Sequence, residues 1–285
     1  MSVPIISVEN FSYIYPNTEL RVLDNVSFTV HENDFIGIVG CNKAGKSTLC
    51  TALVGIIPYT LGGQWEGSIF VDGKDLELSK GADASNVIGI VFQEAESQFT
   101  QETVEDEIAF AMCNFGYTRE LMTERVRNAA EACGIFSMLD RSPYRLSGGQ
   151  QQRVAIACML ALQPRVIILD ESTSQLDPIG RDEVFNLVKQ LHEMGSTIIM
   201  VDHNIEKLAE YAGKILIMHE GRVVEYGEAK QIFQKKPALD SYNIRIPQVT
   251  EAAIGLGIKL DNGDAPIKLS EAVELFKAAK GGPGE

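Results

Sequence analysis

Phe35-Ile36-Gly37-Ile38-Val39-Gly40-Cys41-Asn42-Lys43-Ala44-Gly45-Lys46-Ser47-Thr48 is an apolar run followed by the pattern G-x-x-x-x-G-K-[ST]. The run predicts a buried strand, the glycine-bearing segment a tight turn, and the residues beyond Lys46 a helix, which is the context a P-loop requires. In such a loop the backbone amides of Gly40 to Thr48 wrap phosphate oxygens. Lys46 reaches the β and γ groups, and the Ser47 hydroxyl can ligate Mg²⁺.

A second anion cradle lies downstream, at Leu146-Ser147-Gly148-Gly149-Gln150. Ser147 reads as the N-cap of a helix-like stretch from Gln150 to Leu162, so free amides and the positive dipole end face outward. By average composition the string LSGGQ occurs by chance at roughly one in a million positions, which disfavours a plain Gly-Gly turn. Further on, Val166-Ile167-Ile168-Leu169-Asp170-Glu171 ends a buried-type strand on two carboxylates. Given the P-loop upstream, Asp170 suits the metal and Glu171 the attacking water.

The chain has 285 residues, 45% of them hydrophobic, enough for a large domain with a small appendage. Its net charge of -14 argues against a nucleic-acid binder, which needs clustered Lys and Arg. Five cysteines, at positions 41, 50, 113, 133 and 158, lack C-x-x-C spacing and read as reduced thiols of a cytosolic protein. Cys41 lies inside the P-loop, yet nothing nearby in sequence lowers its pKa. No secretory signal is evident at the N-terminus. Ser47 to Trp65 is uncharged, but Gly55, Pro58, Gly62 and Gly63 interrupt it, so it reads as helix and loop rather than a membrane span.

Along the chain, Ile5–Glu9, Val26–Val30, Phe35–Val39 and Ser68–Val71 predict a β-rich start. The run Val87–Phe92 leads into helical patterns, one with Val104, Ile108, Ala111, Met112 and Phe115 on a face, the next from Arg119 to Cys133. Beyond the second cradle, strands at Val166–Leu169, Thr197–Val201 and Lys214–Met218 alternate with helices at Pro178–Met194 and Asn204–Tyr211, a parallel α/β pattern. Arg222–Tyr226 closes a hairpin, and from Pro237 onward Pro247, Pro266, Gly281, Gly282 and Pro283 punctuate short amphipathic pieces.

With both cradles and the strand-end acids in this order, the chain resembles the ATP-binding cassette (ABC) ATPases over roughly residues 3–235. The resemblance implies an α/β fold: a RecA-like P-loop NTPase core, an antiparallel β-subdomain and a helical signature subdomain at about 95–162. The ATPase domain would span 1–235 and a C-terminal extension 236–285. ATP and Mg²⁺ are the implied cofactors. In that family each ATP lies between one protomer's P-loop and the other's signature, so Ser147, Gly148, Gly149 and Gln150 would act across a dimer. Gln93 matches the Q-loop glutamine, joining Ser47 and Asp170 at the metal. His203 matches the switch histidine at the γ-phosphate, and Asp177 the D-loop acid that meets the other protomer. Tyr15 matches the aromatic that stacks on adenine, with Tyr13 or simple strand packing as alternatives.

Two residues depart from that pattern. Position 43 is usually Gly and here is Lys, which costs about 1–2 kcal/mol if the backbone must be left-handed, unless Lys43 simply points into solvent. The residue before the switch histidine is usually Thr or Ser, whereas Asp202 adds a carboxylate near an anionic ligand.

From Gly81 to Thr118 stand seven acids, at positions 83, 94, 96, 102, 105, 106 and 107, with no Lys, Arg or His. They form either a solvated face or a docking groove for a basic partner. The Phe-Ser-Tyr-x-Tyr-Pro start, the Gln98-Phe99 segment and the tail from Pro237 to Ala279 resemble the ATPase subunits of energy-coupling factor (ECF) transporters. That resemblance implies import of a vitamin or transition-metal ion, and a second ATPase protomer, identical or related. It also implies membrane scaffold and substrate-binding subunits, and a place on the cytoplasmic face of the membrane. Glu94 and Glu96 would meet the scaffold's arginines. An ATPase of another ABC importer or exporter is the alternative, and a soluble ABC ATPase a further one.

Overall fold

The computed structural model describes residues 3–280, with side chains through 277, so the glycines and proline at 281–283 lie outside the described residues. β1 (Ile6–Ile14) and β2 (Arg21–Val30) pair antiparallel, and β3 (Phe35–Val39) runs through the P-loop into α1 (Lys46–Leu53). β4 (Gln64–Val71) and β5 (Lys74–Asp75) complete an antiparallel sheet of order β2-β1-β4-β5, followed by α2 (Leu76–Ser79). β1 runs past Glu9 because Asn10 takes a left-handed φ of 50° at a register shift, after which pairing resumes at Phe11.

The chain continues through β6 (Ile88–Val91), α3 (Val104–Asn114), α4 (Arg119–Ala132) and α5 (Gly148–Leu160). β7 (Val166–Asp170), α6 (Pro178–Glu193), β8 (Thr197–Val201), α7 (Ile205–Tyr211), β9 (Lys214–His219) and β10 (Arg222–Glu228) follow. The second sheet has the order β10-β9-β3-β8-β7-β6, parallel throughout except for β10 at its edge.

Alternation along these strands divides the interior in two. Ile167, Leu169, Ile198, Met200, Ile215 and Ile217 face the helices α3 to α7. Their neighbours Ile168, Ile199, Val201 and Leu216 face α1 and the antiparallel sheet. Both faces of the parallel sheet are therefore covered. The carboxyl ends of β3, β7 and β8 emerge together at one edge, where ligands bind in such sheets.

The C-terminal helices α8 (Ala229–Ile232), α9 (Lys236–Ser241), α10 (Gln248–Leu256) and α11 (Leu269–Lys280) do not stand apart. Leu239, Ile244, Ile246 and Ile267 join the core that contains Leu208 and Ala209 of α7. The Gln248 amide donates to Glu206 at 2.9 Å, and Lys268 Nζ to the Glu210 carbonyl at 2.8 Å, fastening the extension along α7.

Candidate functional site

The P-loop begins where β3 ends. A Cβ on Gly40 would lie 2.5 Å from the Met218 carbonyl, so only glycine fits against β9. Gly45, at φ 99°, caps α1 with no side chain, and no acid occupies that helix's first turn. The helix start thus offers unspent amides and its positive end to an anion. Ala44 is buried with its amide on the Cys41 carbonyl at 3.1 Å, while Asn42, Lys43 and Ser47 face solvent. Cys41 Sγ lies 3.6 Å from the Tyr242 carbonyl, so the extension reaches the P-loop itself. All five cysteines are free, and burial pushes the Cys133 thiol up to about 12.

Lys43 has φ 67° and is exposed: the backbone is left-handed and the side chain points outward. Lys43→Gly is accordingly expected to be about 1 kcal/mol more stable than Lys43→Ala, which keeps the Cβ strain. Denaturant unfolding of the two variants measures this.

The Lys46 ammonium is almost fully buried and donates to the carbonyls of Gly40 (3.0 Å) and Cys41 (3.2 Å). It also lies 3.4 Å from Glu171 Oε1. The same carboxyl oxygen meets His203 Nε2 at 3.1 Å, so Lys46, Glu171 and His203 converge from the ends of β3, β7 and β8. Glu171 takes a left-handed φ of 49°, a conformation that costs a non-glycine residue about 1–3 kcal/mol.

Beside this trio, Ser47 Oγ donates to Asp170 Oδ1 at 3.1 Å. Burial pushes the Asp170 pKa up, with the neighbouring Glu171 adding to the rise, against the lowering effects of that hydrogen bond and of Lys46. A carboxylate and a hydroxyl are hard oxygen donors that fit Mg²⁺. Among the described residues no cluster of three His, Cys, Asp or Glu could hold a metal alone, so remaining ligands would come from phosphate and water. Gln93 is not drawn to this pair; its amide donates to Ser174 Oγ at 3.3 Å, on the loop after Glu171.

Tyr15, half-buried, lies beside the P-loop with its hydroxyl 3.2 Å from Thr48 Oγ1. Tyr13 is fully buried and donates to the Gly62 carbonyl at 2.6 Å, which turns it away from any ligand.

The signature forms a separate site. Ser147 and Gln150 make a reciprocal capping box at the start of α5, with Ser147 and Gly148 exposed. Asp177 caps α6 by accepting the Gly180 amide at 2.7 Å. Residues 147–150 and Asp177 line one cleft of about 400 Å³, which no P-loop residue joins.

A larger cavity, about 610 Å³, opens over Glu171 and His203. It includes Thr173, Arg181, Asp202 and, from the extension, Arg245 and Glu251. Sequence reasoning missed Thr173 and Arg245. The alcohol two residues past the catalytic-type acid was a readable signal for the first; nothing marked the second.

The acids of the 81–118 segment divide. Glu107 is buried and accepts the amides of Thr100 and Gln101, each at 2.7 Å. Asp83 pairs with Lys74 at 3.3 Å. Glu94 and Glu96 are exposed and line a cleft of about 440 Å³ with Gln93, Tyr144, Gln152 and Ser172.

This fold and site define an ATP-binding P-loop NTPase of the cassette type. A family model described as ABC transporter matches residues 23–174, and the chain belongs to that family: it is the ATP-binding, ATP-hydrolysing part of a transporter. It is 42% identical over 256 residues to a provisional ABC transporter ATP-binding protein of Pyrococcus abyssi, covering 90% of this chain and 91% of that one. It is 38% identical over 269 residues to the energy-coupling factor transporter ATP-binding protein EcfA1 of Geobacillus kaustophilus, covering 94% and 93%. Among solved structures, cbiO1 from Clostridium perfringens, described as part of the ABC transporter complex cbiONQ, superposes with a TM-score of 0.74. That match has 31% identity and covers 89% of this chain and all of that one.

Proposed function

We propose that this chain is the ATPase subunit of an ECF-type importer. It couples ATP binding and hydrolysis at a dimer interface to uptake of a vitamin or transition-metal ion through separate membrane subunits. The observation that carries this reading is the convergence of Lys46 and His203 on one oxygen of Glu171, beside the Ser47–Asp170 pair. The names of its relatives support the importer class.

In this account the amides of residues 40–48 hold the phosphates of ATP, and Tyr15 packs on the base. Glu171 orients and deprotonates the water that attacks the γ-phosphorus, releasing ADP and phosphate. Lys46, His203 and the partner protomer's signature residues Ser147 to Gln150 stabilise charge on the γ-phosphoryl oxygens, and Asp177 contacts the facing protomer. Ser47 and Asp170 would hold Mg²⁺, which would supply positive charge against the phosphates, and Gln93 would join them only by leaving its bond to Ser174.

Among the described residues no helix is long and apolar enough to cross a membrane. As in the transporters its relatives are named for, the chain would sit peripherally on the cytoplasmic face, held by a membrane scaffold. The cleft of Glu94 and Glu96 is the docking place for that scaffold's basic side chains. Buried Gln152 Nε2 and Ser172 Oγ in its lining have no partner among the described residues, as expected of a surface that an incoming chain completes. Glu94→Lys/Glu96→Lys is expected to cut recovery of the membrane subunits at least about tenfold in a detergent pull-down after coexpression. Undiminished recovery contradicts that docking place, and a wild-type chain recovered without any membrane subunit contradicts the transporter assembly.

A further inference from the structure

Asp202, directly before His203, is buried at the wall of the cavity over Glu171 and His203, and both its carboxyl oxygens are engaged by the chain. One oxygen accepts the Asn204 amide at 2.7 Å. The other accepts the hydroxyl of Thr173, a fully buried residue two positions past Glu171. The β7 and β8 ends are thus joined by a side-chain bridge between the two loops that carry Glu171 and His203.

A second link lies on the other side of Glu171, whose own amide donates to the Val201 carbonyl at 3.0 Å. Glu171 is bracketed by these two ties and sits between them at φ 49°, in a sparsely populated region of backbone space. A residue stays in such a region only where its surroundings over-determine it. The bracket supplies that constraint, and Glu171 Oε1 then lies 3.1 Å from His203 Nε2 and 3.4 Å from Lys46 Nζ.

We infer that Asp202 and Thr173 form a positioning pair. Their hydrogen bond fixes the Glu171 loop against the His203 loop and so sets the aim of the attacking water, without either side chain touching ATP. This rests on the reading of Glu171 and His203 given above. It also accounts for a carboxylate tolerated near an anionic ligand, since both its oxygens are engaged by donors of the protein. Misaiming a reacting group by about 1 Å can cost on the order of a hundredfold in rate, whereas ground-state binding of the phosphates depends on residues this pair does not contact.

The test compares Thr173→Val, Asp202→Ala, the double variant and Asp202→Asn with wild type, in steady-state phosphate release by the full chain. Thr173→Val and Asp202→Ala should each lower kcat about tenfold or more with KM for ATP within about twofold. The double variant should be no slower than the slower single, because both remove one bridge. Asp202→Asn, whose amide can donate to the Thr173 hydroxyl, should recover most of the loss seen with alanine. Wild-type kcat in both single variants overturns the inference, as do losses that multiply in the double variant. A fall in ATP affinity that accompanies a lowered unfolding transition overturns it too, by showing a merely structural role. Glu171→Gln run in parallel separates the two levels. Phosphate release by that variant overturns the reading of Glu171, while its silence beside fully active Thr173→Val and Asp202→Ala overturns the positioning pair alone.

Discussion

Glu171→Gln should keep ATP binding, hold the two protomers together and abolish turnover. The substitution preserves the shape of the side chain and one carbonyl acceptor for Lys46 and His203, now 3.4 and 3.1 Å from Oε1. It removes the negative charge and the ability to take a proton from water. A general base contributes about 10²- to 10⁴-fold in rate, so phosphate release should fall by that factor while equilibrium binding persists. Loss of the carboxylate also removes its repulsion of the γ-phosphate, so bound ATP stays and the dimer that it bridges remains closed. A phosphate-release assay together with calorimetric ATP titration checks both halves, and undiminished release refutes the assigned role.

Lys46→Met should fail earlier, at binding. The ammonium is 5% exposed and is the cation facing Glu171 in this site. Methionine fills much of the same space but cannot donate, which strips a hydrogen bond from the Gly40 and Cys41 carbonyls at about 1 kcal/mol each. More important, the charge-assisted contact to the phosphates disappears from a water-poor pocket, where one such donor is worth roughly 10²–10³ in kcat. Titration with a fluorescent ATP analogue should show affinity reduced at least about tenfold, with no measurable turnover. Wild-type affinity would place the phosphates elsewhere. The two variants thus separate capture of ATP from its hydrolysis.

Much of this arrangement was readable from the chain because local rules and tertiary context agree. β3 and β8 have the ends expected from their runs, since both faces of a central parallel strand are covered and every residue of each is buried. The P-loop's left-handed positions follow from glycine at 45 and are enforced even at Lys43, with φ 67°. What stayed hidden depends on long-range packing. β1 and β4 are longer than their alternation suggests, because a bulge at Asn10 and the exposed start Gln64–Gly67 break the apolar pattern while pairing continues. The C-terminal helices look like an appendage in sequence, yet their few apolar residues complete the core along α7. Asp202 looks like a charge set against the ligand. Its burial and its bond to Thr173 arise only once β7 and β8 lie side by side. Gln93 fits a metal ligand by position, but its amide rests on Ser174.

In the proposed dimer one ATP is shared by the P-loop of one protomer and the signature of the other. The capping box and Asp177 line a cleft that no residue of the P-loop enters, which supports the proposal that a single chain supplies two half-sites. Mixing two inactive forms tests this most directly. Lys46→Met copies lack a working P-loop but keep the signature; Ser147→Arg copies keep the P-loop and lack the signature. In an equal mixture, half the dimers contain one of each and so rebuild one complete site of two, restoring about a quarter of wild-type turnover on the additive premise that sites work independently. Phosphate release recovering toward that level in the mixture is the expected result. A mixture as silent as either variant alone would contradict the shared site.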